Sequence, residues 1–318
     1  MDALAVASAN ILSPVVLSFA LGALAAWVKS DLKLPEAVQS GLSIYLLLAI
    51  GLKGGVELAR TPFAEFLGPA AAGLLLGLAI PVWSYGLLRA ARFASADAAA
   101  MAAHYGSVSA VTFIASLAYL DRVGTAYEGF VPALLGLMEI PAIVVALALA
   151  RGMGSGTWQR ALPEILSGKS ILLLGGGLAI GWLSGPEGFA PVKPFFTDMF
   201  RGALCLFLLD LGIAAAHRAR DFRKVGVVLA TFALTMPLFN ALVGAVIGSF
   251  VGLSPGGTMV LATLAASASY IAAPAAVRLA LPEANPGYYL TTSVAITFPF
   301  NLVLGLPLYY ALATAIAG

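Results

Sequence analysis

Residues 263–290 read TLAASASYIAAPAAVRLALPEANPGYYL. The stretch opens as an apolar membrane segment. Ser267, Ala268, Ser269 and Tyr270 then interrupt it, and Pro274 follows four residues later. Proline lacks an N–H and its ring clashes with the preceding turn, so a continuous helix is not expected here. Non-helical backbone at membrane depth persists only where it is buried in protein or lines a polar cavity. Freed amides and hydroxyls at such a break can hold a small ion. Broken helices at corresponding positions of two halves point to a transporter binding site.

A second interruption lies earlier, in AHYGSVSAVTFIASLAYLDR at 103–122. Ser107 and Ser109 precede Ser267 and Ser269 by 160 positions, and the same offset carries Arg60 onto Arg220. The identities are few, but the order of elements is shared. The pattern suggests an internal duplication.

The composition places both interruptions in a membrane. The 318 residues are 61% hydrophobic and only 10% charged, against about a quarter charged in soluble domains. The net charge of +2 comes without a basic cluster interleaved with aromatics, so nucleic acid is not an expected partner. The single cysteine, Cys205, rules out an intrachain disulfide and a zinc cluster. It reads as a small core residue. The start, MDALAVASAN, has no basic n-region, and no cleaved signal peptide is expected.

Ten apolar segments, each near the roughly 20 residues that cross a bilayer, are expected at about 10–28, 36–54, 65–88, 97–120, 127–150, 168–184, 196–216, 225–250, 257–280 and 288–316. With the N-terminus outside, twelve lysines and arginines fall in inside loops and five outside. That asymmetry favours both termini outside. Five spans per half is odd, so the halves, 1–150 and 168–318, enter the membrane with opposite orientation. The result is an all-α polytopic protein built as an inverted repeat. Residues 151–167, RGMGSGTWQRALPEILS, read as a cytoplasmic linker without a fold of its own.

Few ionisable groups fall inside the spans, and each is costly there. Glu139 lies mid-span in LLGLMEIPAIVV and Asp210 in LFLLDLGIAAAHR. Either can serve ion coupling or be a paired structural carboxyl; Thr112, in the fourth span, is grouped with them. His104 reads as a hydrogen-bonded packing residue and Lys53 as an interface lysine that snorkels. Serines at i and i+2 often only bond backbone carbonyls, but two such pairs at one offset favour a site. Helix N-termini facing a cavity suit an anion. No nucleophile elbow, metal-ligand spacing or P-loop is present, so neither an enzyme nor a nucleotide-driven pump is expected.

At these residues the chain resembles the sodium-dependent bicarbonate permease family of SbtA type, over nearly its whole length. The carriers are LPEAVQSGLS at 34–43, IGLKGG at 50–55, GSVSAV at 106–111, YEGFVPALLGLMEIPAIV at 127–144 and AASASYIAAPAAVRLALPEANPGYYL at 265–290. The resemblance implies ten spans in two inverted five-helix repeats, core and gate domains, a homotrimer in the inner membrane with external termini, and bicarbonate held between the broken helices. It puts the anion at Gly106, Ser107, Ser109, Ser267 and Ser269, with Tyr270 beside them, and makes Glu139 similar to the family's acid in its M-[DE]-I-P-A pattern. A sodium ion is then expected near Ser109, Ser269 and Glu139.

This chain departs from the family pattern at several points. Where the family has Ser-Ser-Ser-Asp, it has Ser267-Ala268-Ser269-Tyr270, and a carboxylate suited to sodium becomes a phenol. The family's Gly-Pro-Pro is Ala273-Pro274-Ala275, and a threonine is Lys53. The central loop is short and basic, which speaks against docking of a PII-like regulator. The expected activity is import of a small anion, bicarbonate first, by alternating access. Sodium dependence is expected to be weaker than the family's. The alternative is a proton-coupled or uncoupled transporter or channel for another small anion or carboxylate.

Overall fold

The computed structural model describes residues 10–151, 162–163, 166–219 and 222–318. Most of the expected 151–167 linker therefore lies outside the described residues. Among those described, every regular element is helical. In chain order the helices are α1 (Pro14–Trp27), α2 (Glu36–Arg60), α3 (Phe63–Ala90), α4 (Ser95–Gly106), α5 (Ala110–Val123), α6 (Val131–Arg151), α7 (Lys169–Phe189), α8 (Phe200–Ala219), α9 (Phe222–Phe250), α10 (Pro255–Ala266) and α11 (Ala272–Ala280). The last, α12 (Pro286–Ala317), is continuous and has wide turns at Thr291–Thr297 and Asn301–Gly305.

Seven helical runs among the described residues are long and apolar enough to cross a membrane: α2, α3, the Ser95–Val123 run, α6, α8, α9 and α12. Helices α1 and α10 are apolar but shorter. The chain is a polytopic membrane protein.

Local sequence sets the helix starts. Ser13, Ser254 and Asn285 each stand before a proline at the first helical position, and each side chain accepts a backbone amide of the first turn. Such caps satisfy donors that a helix start leaves unpaired. Gly124 ends α5 in the left-handed conformation at φ 70°, which glycine adopts without penalty.

Small residues set the closest helix crossings. Helix α1 packs on α8 and α2 on α7. A Cβ on Gly22 would overlap the Leu209 carbonyl, and one on Gly212 the Phe19 carbonyl. At the other crossing Gly55 meets the Leu178 carbonyl and Gly181 that of Leu52 in the same way. Close backbone approach of this kind is how membrane helices associate without a hydrophobic drive between them. A second group forms as α3, α4 and α6 pack together, and a third as α9, α10 and α12 do.

The two interrupted segments run into the molecule from opposite ends. The Ser254 amide, at the start of α10, donates to Glu128 Oε1, just ahead of α6, at 2.7 Å, whereas Ser95 Oγ, at the start of α4, donates to the Ala150 carbonyl at the other end of α6 at 3.4 Å. The Asn285 amide, at the start of α12, donates to Asp97 in the first turn of α4 at 2.8 Å. Helices α4 and α10 each have 12 residues and stop at a serine of nearly equal conformation: Ser107 at φ −78°, ψ 163° and Ser267 at φ −81°, ψ 162°. The second break falls ahead of Pro274 and not at it. Helix α11 starts at Ala272, so Pro274 occupies its first turn, where a missing N–H removes no intrahelical bond.

Candidate functional site

The site is built from two helix ends and two helix starts. Ser109 caps α5; its Oγ accepts from the Thr112 amide at 3.2 Å and from Thr112 Oγ1 at 3.0 Å. Ser269 Oγ accepts from the Ala273 amide, across the start of α11, at 3.3 Å. Two cross-ties join the breaks. The Ser109 amide donates to Ser267 Oγ at 2.9 Å, and the Ser269 amide donates to the His104 carbonyl at 2.7 Å. The Ser267 hydroxyl itself donates to the Leu264 carbonyl at 2.8 Å. All four serines are buried.

Helix α12 braces this crossing. Asn301 Nδ2 donates to the carbonyl of Ala266, the last residue of α10, at 3.0 Å. Tyr309 OH holds Asn301 Oδ1 at 2.7 Å. The carbonyl end of a helix needs such partners once it stops inside the protein.

Glu139 reaches the crossing from α6. It is 4% exposed, and its Oε2 has no hydrogen-bond partner among the described residues. With Ser109, Ser170, Ser269 and Tyr270 it lines a cavity of about 10 Å³. That is room for about one water-sized species. The Tyr270 hydroxyl lies beside Ser109 and has no hydrogen-bond partner among the described residues. Ser107 Oγ, in the first break, is also buried and has no hydrogen-bond partner among the described residues. A buried polar atom without a partner costs about 1–3 kcal/mol, so the two such atoms on this cavity, Glu139 Oε2 and the Tyr270 hydroxyl, mark a place suited to a ligand or water.

A larger cavity, of about 240 Å³, adjoins the small one and shares Ser170 and Ile271 with it. Lys169 and Ala272 also line it. It lies toward the start of α7. The small cavity thus has a neighbouring vestibule on that side.

The structure brings together Ser109, Ser269, Tyr270 and Glu139 on one cavity, with Ser107 and Ser267 at the crossing itself. Gly106 is a packing position: a Cβ there would meet the Pro81 ring at 2.8 Å. Thr112 acts through Ser109. Asp210 is not part of this cluster; it accepts from Gln39 Nε2 at 2.7 Å, between α8 and the start of α2. Lys53 lines a different cavity with Asp121 and Arg201. His104 is a packing residue, with Nδ1 2.7 Å from the Ala100 carbonyl and its ring stacked 4.5 Å from that of Tyr289.

Two residues of the site escaped sequence reasoning. Ser170 sits at the start of a span, one polar residue among many at a boundary. Asn301 carries a detectable signal, a lone amide inside a long apolar run, where an unpaired polar group is costly.

No curated protein matches the chain significantly. The family model of the Na+-dependent bicarbonate transporter superfamily does match, over residues 14–314. With nearly the whole length covered, the chain belongs to the Na+-dependent bicarbonate transporter superfamily.

Proposed function

We propose that the protein is a secondary transporter that imports a small anion, bicarbonate first, by alternating access, with a monovalent cation as the coupled species. The observation that carries this reading is the crossing of two broken helices beside Glu139, whose Oε2 has no hydrogen-bond partner among the described residues. The cavity there has about the volume of one water. It is too small for bicarbonate as it stands, and the 240 Å³ vestibule adjoins it at Ser170 and Ile271. A site closed at the centre and approached from one end is what alternating access requires.

The repeat reading draws support from equal lengths, equal offset and equal serine conformations of α4 and α10. Entry from opposite ends supports inversion, and hence five spans in each of 1–150 and 168–318. The charge asymmetry supports termini outside the membrane, and on that orientation the vestibule at Lys169 faces the cytoplasm.

Glu139, Ser109, Ser170, Ser269 and Tyr270 together offer oxygen atoms around a space of one small ion. One carboxylate balances one monovalent charge, which suits sodium. Glu139 reaches from α6 to supply the negative charge that Tyr270 lacks. Assembly as a homotrimer follows from the resemblance alone.

The test is labelled bicarbonate uptake into proteoliposomes, with sodium and proton gradients imposed separately. Saturable uptake driven by the sodium gradient is expected. Uptake that follows only the bicarbonate gradient at high turnover would establish a passive channel instead.

A further inference from the structure

Helix α5 carries two consecutive charged residues in its last turn, Asp121 and Arg122. Each reaches one member of the close-packed α1–α8 pair. Asp121 Oδ2 accepts from Arg201 Nη2, at the start of α8, at 3.2 Å. Arg122 Nη2 donates to Oδ1 of Asn10, just ahead of α1, at 3.2 Å. Both grips are backed by further bonds. Tyr127 OH donates to Asp121 Oδ1 at 3.2 Å, and Asn10 Nδ2 donates to the Leu302 carbonyl of α12 at 3.0 Å. Gly22 and Gly212 bring the backbones of α1 and α8 into contact, so the two helices are held as one body.

The grip lies at the far end from the vestibule. Helix α7 starts at the 240 Å³ vestibule, and its 21 residues lead, through 190–199, to the start of α8. A cavity of about 340 Å³ separates α5 from the α1–α8 pair. Asn10, Arg122 and Arg201 of the grip line it, and so does Ala115 farther back along α5. Among the described residues it shares no lining residue with the small cavity at the crossing.

We propose that Asp121 and Arg122 form a clasp on the α1–α8 pair, and that its release opens the crossing on the side away from the vestibule. The inference rests on the alternating-access reading above, which needs a contact closed at one end while the other end is open. The Arg201 and Asp121 side chains are 58% and 38% exposed, and an exposed ion pair contributes little to stability. A contact made and broken in every cycle has to be weak enough to part. Because both ties leave one turn of α5, they part together, and the tight glycine contacts inside the pair travel with it.

Cys205, on α8, lines the 340 Å³ cavity and is the single cysteine of the chain. It reports release of the clasp. Modification of Cys205 by a small neutral methanethiosulfonate is timed in purified protein. Asp121→Asn and Arg201→Gln should each speed it about two- to fivefold, the population shift that loss of an exposed ion pair allows. The two changes alter the local charge in opposite directions. An electrostatic effect on the thiol separates them, whereas release moves both rates the same way. Asp121 does not line the cavity, so Asp121→Asn leaves its walls intact. Arg201→Lys, which keeps the charge, should stay near the wild-type rate.

Cross-linking gives a second readout. In a Cys205→Ser background, Asp121→Cys and Arg201→Cys are joined by a short bifunctional methanethiosulfonate. The joined protein should lose bicarbonate uptake, and reduction should restore it. Two results would overturn the clasp: Cys205 rates that are unchanged, or move in opposite directions, in the two single variants, or wild-type uptake in the joined protein. A wild-type protein without uptake would overturn the transport reading instead, and the Cys205 rates would still decide whether the clasp opens.

Discussion

The backbone amide of Ser109 donates to the hydroxyl of Ser267 at 2.9 Å, across 158 residues of chain. The first residue caps the helix that leaves one break, and the second ends the helix that enters the other. Anything that separates the two breaks must first part this bond. Ser267→Ala removes the acceptor and leaves a buried amide unpaired. The variant should lose about 1–3 kcal/mol of stability, and its bicarbonate uptake should fall several-fold. Thermal unfolding and uptake measured on one preparation check both. A variant of wild-type stability and uptake would show that the tie is not important to either.

Ser107 should behave differently. Its hydroxyl is buried but has no hydrogen-bond partner among the described residues, so Ser107→Ala deletes none of the hydrogen bonds seen there. Stability should stay within about 0.5 kcal/mol of wild type. The KM for bicarbonate should nevertheless rise several-fold if, as proposed, the anion binds at the crossing and uses this donor. An unchanged KM would remove Ser107 from the binding site.

The join between the halves tests the topology. Residues 151–167 are rich in glycine and carry Arg151 and Arg160, which favours the cytoplasmic side. In a Cys205→Ser background, Ser155→Cys should react with an impermeant maleimide from the cytoplasmic side only. Labelling from outside would reverse the orientation, and with it the side on which the 240 Å³ vestibule opens.

How far the sequence revealed the site depended on whether the signal was local. The two breaks were legible because paired serines, at one offset, interrupt apolar runs, and a helix cannot pass such a place at membrane depth without compensation. Glu139 was legible because a carboxyl inside a span is expensive. What pairs across space was not. Asp210 carries the same signal as Glu139 in the sequence, yet it meets Gln39 between α8 and α2, while Glu139 meets the crossing. Pro274 marked the break but did not make it; the chain leaves the helix at Ser267 and has resumed it by Ala272. Ser170 joins the cavity only because α7 begins beside α11, a contact no linear pattern encodes.

The same spatial fact underlies the sodium coupling that we propose. Read along the chain, Tyr270 replaces a carboxylate beside Ser269, and sodium loses its charge partner. In space, Glu139 lines the cavity that Tyr270 lines, together with Ser109, Ser170 and Ser269. The Glu139 Oε2 atom has no hydrogen-bond partner among the described residues, and the space beside it is about the size of one small ion. A buried carboxylate is retained in its charged form only if a cation accompanies it. Removing one member of such a buried pair costs about 3 kcal/mol, on the order of 100-fold in cation affinity. Wild-type uptake should therefore fall to background when choline replaces sodium at fixed pH and membrane potential. Glu139→Gln keeps the shape but not the charge, and its sodium requirement should shift upward on the order of 100-fold. Glu139→Asp, with the charge drawn back by one methylene, should fall between the two. If wild-type uptake persists in choline and follows the proton gradient, Glu139 carries a proton and not sodium. If Glu139→Gln retains gradient-driven uptake at wild-type sodium concentrations, the coupling ion is bound elsewhere.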